Sequence, residues 1–122
     1  MINKQDFLNA INQDIDMIKG DTLIFNFELQ GLGEETPDAI TFSCADNINT
    51  TPLFTADLTD GISLDEYNSY TDERIYSVRI APNKTKDLDI NRYYYDLQLE
   101  LNNEIFTLMR GRLTLLYDIT RG

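Results

Sequence analysis

From Leu23 onward the chain alternates. Leu23, Phe25, Phe27 and Leu29 fall on one face and Thr22, Asn26 and Glu28 on the other, a period of two that predicts a strand with one face on a core. Ile24 interrupts the polar face and needs a partner. Ahead of it, Ile15 and Met17 predict a short edge strand that closes in a turn at Lys19-Gly20-Asp21. The loop "LGEETPD" leads into a strand through "AITFSCA", with Ile40, Phe42 and Cys44 together on one face. The stretch "DNINTTPLFTADLTDG" reads as a loop holding a short strand near Leu53 and Phe54. "GISL" is then a strand and "DEYNSYTDE" a polar loop. In "RIYSVRIAP", Tyr76, Val78 and Ile80 face together against Ser77 and Arg79. "PNKTKDLD", with Pro82 at its start, forms a single helical turn that would span two sheets.

The last third is the most regular. "RYYYDLQLEL" and "IFTLMR" form a hairpin around Asn102-Asn103, and Gly111 marks a bulge or bend before "RLTLLYDITR". Short strands at regular spacing predict an all-β fold, an antiparallel β-sandwich.

The first residues follow another period. Phe7, Leu8 and Ile11 fit one face of a short helix, with Asn3 as its N-cap and Asp6 at the third helical position. So short a helix has to dock on something. Residues 1–13 are therefore expected to be a short helix or arm and residues 14–122 the sandwich. Phe7, Leu8 and Ile11 become candidate partner-binding side chains.

Three adjacent tyrosines could make a ligand platform, but their phase argues otherwise. Tyr93 and Tyr95 share a face with Leu97, Leu99 and Leu101, while Tyr94 lies with Arg92, Asp96, Gln98 and Glu100. Two rings are assigned to the core and one, Tyr94, to the surface.

Composition narrows the function. With 122 residues the chain fits one domain, and its 42% hydrophobic content argues against disorder while its apolar runs are too short to span a membrane. Asp and Glu number 21 against 10 Lys and Arg, a formal net charge of −11, which disfavours nucleic acid and anionic membranes as partners. Histidine is absent and Cys44 is the only cysteine, which removes internal disulfides, Cys/His zinc sites and any triad with a histidine base. Cys44 itself reads as a small buried hydrophobe. The N-terminus has neither a charged-then-apolar run nor a small-residue cleavage site, so export by the general route is not expected.

Candidate chemistry is sparse. Lys19-Gly20-Asp21 resembles an adhesion tripeptide but is ordinary turn chemistry. Asp57, Asp60, Asp65, Glu66, Asp72 and Glu73 crowd one region, yet only Asp60-Gly61 matches the spacing of a helical calcium loop, so a solvated acidic face is the better reading. There is no glycine-rich phosphate loop and no nucleophile elbow. The expectation is a protein without enzymatic activity, cofactor or metal. The competing expectation is a carbohydrate- or receptor-binding module in which Tyr67, Tyr70 and Tyr94 stack on a ligand.

Three stretches, "MIKGDTLIFNFEL", "VRIAPNKTKDLDINRYYYDLQLEL" and "FTLMRGRLTLLYDITR", resemble in order and spacing a family of small tailed-phage and prophage virion proteins. In that family an Arg-Gly-Asp-Thr turn opens an alternating strand. A later strand ends in Pro, followed by a Thr and Leu turn and then Gly-x-Tyr-x-Tyr-Asp, and the chain closes with Thr-x-x-x-Gly and Asp-x-Thr-Arg. The family is similar in pattern to the immunoglobulin-like N-terminal domain of the baseplate upper protein of lactococcal phages. Here Lys19 replaces the Arg and Asn91-Arg92 the Gly before the first Tyr, where Asn could still supply a left-handed turn. Residues 3–12 fall outside the pattern, which suits an arm. The resemblance implies an immunoglobulin-like sandwich in a tail, baseplate, neck or capsid-surface position, present in several copies among other phage structural proteins. It would be assembled in the host cytoplasm and located in the virion.

Overall fold

The computed structural model describes residues 2–4, 7, 9–48 and 50–119. Its strands are β1 (Ile2–Asn3), β2 (Ile11–Asn12), β3 (Ile15–Ile18), β4 (Leu23–Gln30), β5 (Ala39–Ala45), β6 (Phe54–Asp57), β7 (Ile62–Asn68), β8 (Glu73–Ile80), β9 (Arg92–Leu101) and β10 (Glu104–Leu116). One sheet runs β1-β4-β8-β7. The other runs β2-β10-β9-β5-β6, with β3 continuing β2 along β10. The chain is an all-β sandwich. Apart from the extra N-terminal pieces, β4-β8-β7 facing β10-β9-β5-β6 is the strand order of an immunoglobulin-like Greek key.

The alternation explains the core. Phe27 and Leu29 of β4, Tyr76, Val78 and Ile80 of β8, Ile40, Phe42 and Cys44 of β5 and Tyr93 to Leu101 at every second position of β9 are all buried between the sheets. Phe42 stacks on Tyr95 at 5.2 Å between ring centroids, and Phe27 on Tyr76 at 5.2 Å. Between β8 and β9 a 3-10 turn at Pro82–Lys84 carries the chain from one sheet to the other. The Tyr93 hydroxyl closes that corner by donating to the Asp89 carbonyl at 2.6 Å, as the corner tyrosine of an immunoglobulin domain does. Gly20 in the Lys19-Gly20-Asp21 turn has φ of 80°, and its N–H donates to the hydroxyl of the fully buried Thr85 at 2.9 Å.

Five expectations need correction. The N-terminal spacing does not make a helix over the described residues: Ile2–Asn3 joins β4 and Ile11–Asn12 joins β10, both in parallel. Among the described residues Lys4 is in a 3-10 turn and its carbonyl accepts the Phe7 N–H at 3.2 Å. The tertiary edges offered more than an isolated helical turn could retain. Those pairings, with β3 on β10, also make both sheets mixed rather than wholly antiparallel. β7 continues through Asp65-Glu66-Tyr67-Asn68, so the first four residues of the expected polar loop belong to an edge strand. Finally, the bulge in β10 lies between Thr107 and Met109, not at Gly111, which stays in register opposite Tyr95. Asn91 does not use a left-handed backbone; its side-chain oxygen accepts the Arg92 N–H at 2.8 Å.

Candidate functional site

The six residues singled out as partner-binding separate into three places. Phe7 is buried, with 4% exposure, and its ring lies 5.2 Å from that of Phe106, so it serves this chain's own core and offers no docking surface. Leu8 lies outside the described residues. Ile11 is exposed on the short β2.

Tyr67 and Tyr70 share the β7–β8 hairpin. Tyr70 is 99% exposed at its tip, where the Asn68 side chain caps the turn by accepting the Tyr70 N–H at 3.0 Å. Tyr67, 49% exposed, covers the guanidinium of Arg74 at 4.9 Å. Arg74 was not anticipated: it sits on the inner face at 6% exposure, gives Nη2 to the Gly33 carbonyl at 3.0 Å, and its buried Nε has no acceptor among the described residues. Asp72 ties the same corner together by accepting the Gly33 N–H at 3.1 Å. Glu66, Tyr67, Asn68, Tyr70, Glu73 and Ile75 line a shallow, open depression beside the hairpin.

Tyr94 is on the other side of the molecule, on the outer face of the second sheet, with the Arg112 guanidinium 4.1 Å above its ring. Tyr94 therefore cannot share a platform with Tyr67 and Tyr70. Its neighbours follow from register: Tyr94 pairs with Arg112, Asp96 with Arg110, and on the far side Asp96 with Ser43 and Tyr94 with Ala45. Counting back from the Asn102-Asn103 turn without the bulge would set Gly111 against Tyr94. The bulge moves Arg112 there, which is why the sequence concealed this pair.

Four of the six crowded acids, Asp57, Asp60, Asp65 and Asp72, are spent on local structure. Asp57 accepts from the hydroxyl and backbone N–H of Thr59, at 2.7 and 2.9 Å, and those bonds, the hydroxyl first, hold its carboxyl below the usual range. Asp60 pairs with Lys84 at 3.0 Å, and Asp65 accepts from the hydroxyls of Ser63 and Ser77 at 3.1 and 3.2 Å. Glu35 is lowered chiefly by its bond to Lys4. Among the described residues no three acids or thiols converge as a metal site would require. Asp96 behaves differently: burial among its neighbours raises its pKa. Cys44 is fully buried, and desolvation pushes its thiol up to about 12.

At the corner end of the sandwich, Lys19, Pro82, Lys86, Ile90 and Tyr117 line a second open hollow. No described helix is long and apolar enough to cross a membrane. No family profile matches the chain, and no curated protein sequence matches it significantly.

Proposed function

We propose that this chain is a non-enzymatic structural component of a tailed-phage particle, placed in a tail, baseplate, neck or capsid-surface position and acting through protein–protein assembly. It assembles in the host cytoplasm and resides in the virion in several copies among other structural proteins. The observation that carries the reading is how the residues of the phage-protein resemblance cluster in space. Gly20 of the opening turn bonds Thr85, which follows Pro82, and Tyr93 closes the adjoining corner on Asp89. A motif whose members brace one corner is a motif for building a particular sandwich, which suits a scaffold more than a catalyst. Mass spectrometry of purified particles tests this: the chain should be present in multiple copies, and particles lacking it while free protein accumulates in the lysate would overturn it.

A carbohydrate- or receptor-binding role is the second reading. It is favoured by Tyr70, fully exposed beside Tyr67 at the hairpin tip. A glycan array probed with the wild-type chain and Tyr70→Ser, with and without chelator, separates the two. Saccharide binding lost in the variant would favour this second reading.

A further inference from the structure

The outer face of the second sheet differs from the rest of the surface. Across β10, β9 and β5 its rows run Arg112, Tyr94, Ala45; then Arg110, Asp96, Ser43; then Thr107, Gln98, Thr41. Ala39, Thr41, Ser43 and Ala45 keep β5 low, so another flat surface could approach closely. The strands of this sheet, ten residues long in β9 but seven in β5 and four in β6, give at about 4.8 Å spacing and about 3.4 Å per residue a face of roughly 600 Å², the lower end of what one partner contributes to a standard interface.

Composition points the same way. Tyr94, Arg110 and Arg112, of types enriched at protein interfaces, stand on the inner strands β9 and β10, and no lysine stands among these positions. The Tyr94 ring is already held by Arg112, so less side-chain freedom remains to be lost on contact. Ile105 adds an aliphatic side chain, 65% exposed, at the hairpin end of the same face.

The charges indicate which partner fits. Arg92, Arg110 and Arg112 share the face with Asp96, and Asp14 and Asp16 lie at its β2–β3 edge. Asp96 has no hydrogen-bond donor or cation within bonding distance among the described residues. Its cross-strand neighbour Arg110 turns away and gives Nε to the Asn12 side chain at 3.2 Å. A face with both an underused carboxylate and a redirectable arginine beside it is self-complementary, which is what a two-fold contact demands. A purely acidic or purely basic partner would leave half of these groups opposed by like charge.

We infer that two copies of this chain pair face to face through the outer surface of the second sheet, with Asp96 of each copy meeting Arg110 of the other around a Tyr94 centre. The pair rests on the assembly reading only for its biological setting. It is measured on the purified chain, so its failure and the absence of the chain from particles are separate results.

The test exploits the two-fold axis. Sedimentation of the wild-type chain across a concentration series should show a monomer–dimer equilibrium. Asp96→Arg and Arg110→Asp should each weaken it by about tenfold or more, because each sets like charges opposite one another. Mixed one to one, the two variants should form a heterodimer with both contacts restored, visible by native mass spectrometry when one chain carries a mass label. Tyr94→Ser, which leaves the charges intact, should also weaken the dimer, and it serves where a charge variant does not melt cooperatively. A wild-type chain that stays monomeric throughout, single variants that dimerise like wild type, or a mixture of folded variants that forms no heterodimer would each overturn the inference.

Discussion

Tyr95 and Gly111 do one job together. They face each other across the β9–β10 ladder, and a Cβ on Gly111 would run into the Gln13 backbone carbonyl, the same oxygen that accepts the Tyr95 hydroxyl. The kink between β2 and β3 is thereby drawn into the sheet, helped by the Gln13 N–H on the Arg110 carbonyl at 2.9 Å. Gly111→Ala should cost about 1–3 kcal/mol through overpacking, and Tyr95→Phe about 1 kcal/mol for the lost bond; thermal melts read both. Cys44 makes a second residue-level case. With its pKa at about 12 and its sulfur enclosed, hardly any thiolate is present at pH 8, so a disulfide reagent should modify it only as fast as the chain unfolds. Labelling of the folded protein at the rate of a free thiol would show that the β5 core opens locally. Asp96 gives the pH dependence. Its folded pKa is raised, so the native state holds its proton more tightly than the unfolded chain, and this contribution to stability falls as pH rises through that window. Asp96→Asn, melted at a concentration too low for association, should therefore raise Tm at pH 7 more than at pH 3.

The N-terminal segment behaves as three small additions to existing edges rather than as one element. Its anchoring comes from burial: Ile2 and Phe7 are both enclosed, and at about 1.5–3 kcal/mol per buried side chain their removal should lower stability by roughly 3–6 kcal/mol. A chain lacking residues 1–10 but keeping β2 and β3 should still fold and should melt at a lower temperature. Unchanged stability would show that the segment docks elsewhere. Why this region misled sequence reasoning is physical. Phe7 and Ile11 are four apart, a helical spacing, but they are used on different surfaces, and two-residue parallel strands leave no periodicity to find. The edge strand β7 was hidden for the opposite reason: beyond Ile62 all its residues are exposed, so nothing alternates. Where one face was buried, in β4, β5, β8 and β9, the phase could be read directly, and it correctly put two tyrosines of the run inside and one outside. The partner of Tyr94 was not readable, since Arg112 depends on a bulge, whereas Arg74, the partner of Tyr67, lies in phase with Tyr76, Val78 and Ile80 on β8, so alternation alone places it inward although a charged side chain is seldom buried.

At the scale of the whole molecule, charge opposes what the local face favours. A chain of formal charge −11 repels its own copies, and that repulsion extends over the screening length, whereas an Asp96–Arg110 contact acts at bonding distance in a partly desolvated place. Salt separates the two. Raising ionic strength from about 0.02 to about 0.3 M shortens the screening length from roughly 20 Å to under 10 Å, which removes most of the long-range repulsion while buried pairs are screened much less. Dimerisation should therefore tighten with salt over this range, contrary to the usual weakening of contacts between oppositely charged proteins. The slope should flatten in variants whose net charge is brought nearer zero at positions remote from the face. Exposed acids on β7 and in the β4–β5 loop, such as Glu66→Gln and Glu34→Gln, are suitable, because neither lies on the second sheet. If salt instead weakens association in proportion to the charges on the face, exposed ion pairs dominate it, and the enclosed Tyr94 centre is not what holds two copies together.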